Sequence, residues 1–196
     1  MEYRLNQRYQ PTAEWSNVGE IPGFPFEDFE QLRAAAAIRS FNLGVDSLAA
    51  ARWSERFNTR ARKAVIAILS LLLVAAGVAS VIAAFLTREY WLLAATPIQA
   101  VTFYLSHPAS PMHKWVTIGG AVSVAVFLDL LFNRLPIAAA LVAYAGLTFA
   151  AVRAAGYITN SSFRKALLSD EKMFLEAYSG GACTLRNNQT KEVYTA

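Results

Sequence analysis

Charge is what this chain has least of. Asp, Glu, Lys and Arg make up 16% of its 196 residues, where a soluble domain carries about 25%. Most of these charges lie before Ala64 or after Val152, and none falls between Ala64 and Leu86. Cysteine occurs once, as Cys183, and histidine twice, as His107 and His113. A lone thiol excludes an internal disulfide and cannot build a zinc site without other ligands. The histidines flank one loop, with no carboxylate or cysteine at ligand spacing, so neither a metal nor a cofactor is expected. A phosphate-cradling glycine loop, a dinucleotide fingerprint and a nucleophile elbow are all missing. So is the cluster of carboxylates or histidines at one interface that a hydrolase or transferase needs. The polar N-terminus, with Pro11, Pro22 and Pro25, argues against a cleavable signal peptide. The net charge of +4 is no nucleic-acid signature, because the basic residues crowd one flank of the first apolar segment and no aromatic-interleaved basic motif of an RNA-binding sheet appears.

What the chain does have is long apolar sequence. Ala64–Leu86 reads AVIAILSLLLVAAGVASVIAAFL; at about 1.5 Å per residue it crosses a hydrocarbon layer of roughly 30 Å. A helix apolar on every side has no place in a soluble domain of this size. Three further apolar segments follow at 90–106, 115–132 and 135–152, edged by Tyr90, Trp91, Tyr104, Trp115 and Tyr157, aromatic residues that favour the membrane interface. The links Thr87-Arg88-Glu89 and Asn133-Arg134 are short enough to force antiparallel neighbours. The expected fold is an all-α polytopic membrane protein: four transmembrane helices within 64–157, arranged as two antiparallel hairpins, with cytoplasmic flanking helices.

Residues 1–25 read as irregular but carry Tyr3, Tyr9, Trp15 and Phe24, with Phe26 just beyond. That is too much aromatic surface for a free tail, so Trp15, Phe24 and Phe26 are candidate assembly contacts, docked on a partner chain or on the protein's own helices. Residues 26–63 predict amphipathic helices. Glu27 and Asp28 stand in a first turn, Phe29, Leu32, Ala36, Phe41, Leu43 and Leu48 recur at near-helical spacing, and Gly44 marks a break or kink. The stretch 47–63, with Trp53 and Phe57 among arginines, lies at the membrane surface or packs on the protein. In 158–196, Ser161 or Ser162 is expected to cap a helix over Phe163–Tyr178, ended by Gly180-Gly181 and followed by a polar tail or short extended segment.

Arg52, Arg56, Arg60, Arg62 and Lys63 stand directly before the first span, where they fix orientation and attract anionic headgroups. They predict both termini and the middle loop in the cytoplasm, and the expected location is the bacterial inner membrane. Two positions carry candidate chemistry inside the apolar segments. Asp129, the one acidic residue there, stands about one turn from a helix end near Arg134; it is an interfacial ion-pair partner or a cation or proton site at a pore mouth. Gln99 lies near the midplane, one turn after Thr96-Pro97, where the proline frees a carbonyl around Leu93. Tyr144, Ser123 and Ser70 or Ser80 are expected at similar depth. Together they line a path or bind a ligand, or act as interhelical glue worth about 0.6–2 kcal/mol per bond, which the sequence favours. Small residues (Ala75, Ala76 and Gly77; Ala139, Ala143, Gly146, Ala150 and Ala154) allow close helix approach.

Three function classes follow. The first is a small non-enzymatic membrane protein that oligomerises or anchors a partner, the bilayer and further copies or a larger membrane complex being its partners. The second is an oligomeric channel or pore-forming effector. The third is a membrane-embedded enzyme acting on lipid.

Overall fold

The two ends of the chain fold with each other. One unit comprises the chain up to Asn58 together with Thr159–Ala196, and a second comprises Thr59–Ile158. The computed structural model describes residues 12–106 and 136–196. In chain order the elements are α1 (Phe29–Ala37), β1 (Phe41–Val45), α2 (Ser47–Arg52), α3 (Ser54–Phe57), α4 (Arg60–Thr87), a 3-10 helix (Tyr90–Ala94), α5 (Ala95–Ser106), α6 (Pro136–Leu167), α7 (Glu171–Ser179), β2 (Cys183–Asn187) and β3 (Val193–Tyr194), with a 3-10 turn at Val18–Glu20 before them.

In the terminal unit, short polar caps decide where helices begin. Asp28 accepts the Gln31 N–H at 2.8 Å, Asp46 those of Leu48 and Ala49 at 2.7 and 3.2 Å, and Asp170 that of Met173 at 3.1 Å, each satisfying donors that a first turn leaves orphaned. Helix α1 ends in a left-handed turn: the Arg39 N–H reaches Ala36 O at 3.1 Å and the Ser40 N–H reaches Ala35 O at 3.0 Å, with Arg39 at φ 58. Helix α7 ends the same way, with Gly181 at φ 68 in the equivalent place. The sheet runs in the order β1-β2-β3, antiparallel throughout, with Phe41 opposite Asn187, Leu43 opposite Leu185 and Val45 opposite Cys183. Leu43, Leu185, Leu32, Phe163, Leu167, Phe174 and Tyr178 form the core, joined by Val18 from the N-terminal segment.

Several expectations are corrected here. The fold is mostly helical but not all-α, since a small sheet is present. The near-helical spacing through Leu48 ends at Ala37, because Phe41 and Leu43 belong to a strand with period two. Gly44 is no helix kink: it lies in β1 opposite Thr184, whose hydroxyl would stand 2.6 Å from a Cβ there. The stretch 47–63 is broken at Trp53 and Asn58, so it is not one surface helix; Trp53 and Phe57 pack on Phe163, with ring centroids 5.8 and 5.0 Å away. Neither Ser161 nor Ser162 caps a helix. Helix α6 runs straight through them, and the break falls at Leu168–Asp170. Asn160, one residue earlier, donates to the Ser47 hydroxyl at 2.8 Å, so its polarity serves tertiary contact instead of a helix end. Of the two readings of the last residues, the extended one holds: β2 and β3 lie there.

Cys183 is 1% exposed, and burial pushes its thiol from 9.0 up to about 12. Burial likewise pushes the Tyr178 phenol up to about 12. Both groups are neutral when folded and ionise more readily when unfolded, so the stability they protect is fully present below about pH 9 and is lost as pH rises toward 12. A near-UV circular dichroism titration should show the terminal unit loosening across that alkaline window, and Cys183→Ser should flatten its lower edge.

The second unit is built from apolar helices. Thr59 caps α4, accepting the Arg62 N–H at 3.4 Å, and Arg88, left-handed at φ 58, ends it. The 3-10 helix and α5 then pack back along α4. Pro97 falls in the first turn of α5, where its missing N–H costs nothing, so it marks a helix start and not a mid-span kink. Helices α4 and α6 are both long and apolar enough to cross a membrane, and only 6% and 11% of their most apolar stretches are buried. The core helix of a soluble protein would be mostly buried. Leu71, Val74 and Phe85 are among the apolar side chains that α4 leaves exposed. The expected span at 115–132 lies outside the described residues.

Candidate functional site

Gln99 stands in the second turn of α5, and it reaches both neighbouring helices. Its amide nitrogen donates to the main-chain carbonyl of Leu73 on α4 at 2.6 Å. Its amide oxygen accepts from the Tyr144 hydroxyl on α6 at 3.3 Å. A helical carbonyl keeps a second lone pair after accepting from the N–H four residues on, so Leu73 takes the extra bond without giving up the helix. Gly77 makes the approach possible: a Cβ there would stand 2.7 Å from the Gln99 amide oxygen. One turn along α4, the Ser80 hydroxyl donates to Gly77 O at 2.8 Å and lies 3.3 Å from the Thr96 hydroxyl. Thr148 donates back to Tyr144 O at 3.0 Å, a common way of satisfying a hydroxyl inside an apolar helix.

An amide, a phenol and three hydroxyls are neutral groups near pH 7. What they do together is tie α4, α5 and α6 by directed hydrogen bonds. Gln99 and Tyr144 are thus brought together as sequence depth suggests, with Ser80 close by; Ser70 instead bonds Ile66 O in its own helix at 3.0 Å. Asp129 and Ser123 lie outside the described residues. Sequence reasoning missed the Leu73 carbonyl and the Thr96 hydroxyl. Gly77, after Ala75 and Ala76, was the available signal for a close approach.

The basic cluster is divided between elements. Arg52 ends α2, Arg56 lies in α3, and Arg60, Arg62 and Lys63 open α4. Arg56 donates to Glu176 at 2.8 Å and lies over the Trp53 ring at 5.0 Å, so it is tied into the terminal unit. Each candidate assembly residue has an aromatic neighbour within the chain. Trp15 meets Tyr178 at 6.2 Å between centroids, Phe24 meets Tyr178 at 5.3 Å, and Phe26 meets Phe41 at 4.8 Å in an edge-on pair. Among the described residues no three His, Cys, Asp or Glu side chains gather as a metal site. His107 and His113 lie outside them. No family model, no curated protein and no solved structure matches this chain.

Proposed function

We propose that this chain is a small non-enzymatic integral membrane protein that oligomerises or anchors a partner, with four membrane helices and a terminal unit carried at the cytoplasmic face. The pairing of β1 with β2 is the observation that carries the topology. Two strands hydrogen-bonded in one sheet lie on one side of a bilayer, so the chain between them crosses an even number of times. Two hairpins meet that condition.

The side follows from charge. Arg60, Arg62 and Lys63 occupy the first turn of α4, where the helix dipole disfavours each cation by about 0.3–1 kcal/mol. Lipid phosphates and the bias of basic residues to the cytoplasm give that placement a purpose. Support for a structural role comes from how the polar groups are used: Gln99 is bonded at both ends of its amide, and the single thiol is buried and held protonated.

The test is the particle itself. Extracted in mild detergent, it should have the mass of two or more chains, or of this chain with a stoichiometric partner. Gln99→Leu should leave that mass unchanged and cost about 1 kcal/mol of stability. A particle of any mass that conducts ions in a planar bilayer, and stops conducting on Gln99→Leu with its thermal midpoint intact, would replace this reading with the pore.

A further inference from the structure

A cavity of about 330 Å³ opens in the terminal unit, between the end of α1, strand β1, the last turn of α6 and the turn joining β2 to β3. Arg39 and Arg164 both line it, and neither guanidinium has an ion-pair or hydrogen-bond partner among the described residues. Both side chains are exposed, so water carries their charges, and an anion entering the recess would meet two guanidinium groups without displacing a protein partner.

The ordinary reason for a basic residue at a helix end is to answer its last carbonyls. Here several of those carbonyls are already bonded. Ala35 O and Ala36 O take the Ser40 and Arg39 N–H groups, and Ala35 O also takes the Ser40 hydroxyl at 2.9 Å. On α6, Ala166 O takes the N–H groups of Ser169 and Asp170. Arg39 moreover sits at φ 58 in the turn position that Gly181 fills after α7, a strain that glycine would not carry. The turn is pinned in place: Asn188 Nδ2 donates to Arg39 O at 2.6 Å, and the Asn188 N–H to Ser40 O at 2.9 Å.

We propose that this cavity binds a phosphate ester, with Arg39 and Arg164 closing on the phosphate. Two guanidinium forks suit a group with up to two charges and three free oxygens better than a carboxylate, which one fork satisfies. Asn42, also in the lining, adds a neutral donor. The space is about ten times the volume of a liquid water molecule, roughly 30 Å³, and Phe41 and Leu168 give it an apolar wall. An ester body fits beside the phosphate. The same chemistry is offered by an anionic lipid headgroup and by a soluble phosphate ester.

Thermal unfolding of the full chain in neutral detergent separates these sources. The probes are glycerol 3-phosphate and dioctanoyl phosphatidic acid, with dioctanoylglycerol and sodium chloride as controls. The midpoint should rise saturably with at least one phosphate probe at millimolar concentrations or below, and with neither control. A response to glycerol 3-phosphate identifies a soluble ester; a response confined to phosphatidic acid identifies a lipid. Arg164→Gln should weaken the response at least about tenfold. Arg39→Gly should abolish it while keeping or raising the midpoint without ligand, because glycine relaxes the turn. No response from the unaltered protein to either probe, or an undiminished response in either variant, would overturn the site.

Discussion

Phe174→Ala should remove about 3–5 kcal/mol from the stability of the terminal unit. Phe174 is 0% exposed. Its ring lies 6.0 Å from Phe24, 6.0 Å from Phe29 and 5.6 Å from Tyr178. The walls of the resulting cavity would come from the N-terminal segment, α1 and α7 together. Separate elements collapse poorly into a void, which places the cost toward the upper end of the range for this truncation. Since a whole domain is stable by about 5–15 kcal/mol, the variant should stand close to unfolding. Urea denaturation followed by near-UV circular dichroism measures the loss. Val193→Ala, at a site 57% exposed, is the control and should shift stability by less than about 0.5 kcal/mol. A cost below about 1 kcal/mol for Phe174→Ala would mean that the N-terminal segment does not close over α7.

The second large effect is all-or-none. In intact cells, a membrane-impermeant maleimide should label Glu89→Cys and leave Glu14→Cys and Gln189→Cys untouched until the membrane is opened. Cys183 does not interfere, because a thiol 1% exposed and pushed up to about 12 is not a reactive thiolate near neutral pH. Burial would silence it on either side of the membrane. Labelling of both Glu14→Cys and Gln189→Cys from outside would reverse the orientation and leave the even number of crossings standing. Labelling of only one of them would be incompatible with a sheet that joins the two ends.

The parts legible in sequence are those whose signal is local and repeated. An uninterrupted apolar run gives α4, the short link Thr87-Arg88-Glu89 gives the return of the chain along it, and matching depth puts Tyr144 at Gln99. The terminal unit was hidden for the opposite reason. Strand β1 is five residues long, and its Phe41 and Leu43 fit a helical wheel as well as a strand when no partner is in view. The partner, β2, lies far along the chain, past the whole apolar middle. Asn160-Ser161-Ser162 reads as a cap because short polar side chains compete for backbone groups, yet the tertiary bond to Ser47 keeps the helix running. Trp15, Phe24 and Phe26 carried a sound signal, that their surface must be covered. Composition alone cannot say by what, and the cover is α7 and β1 of the same chain.

The pairing of Phe41 with Asn187 also sets a schedule for biosynthesis. At about 5–20 residues per second, the 146 residues separating these partners (187 minus 41) take roughly 7–30 s to make. For that interval the newly made N-terminal segment shows its aromatic side chains and the pairing edge of β1 with nothing to cover them. Strand edges and apolar surface exposed on that timescale are what aggregation exploits. The N-terminal segment of this protein is therefore the part of the nascent chain with most to lose to aggregation until β2 emerges.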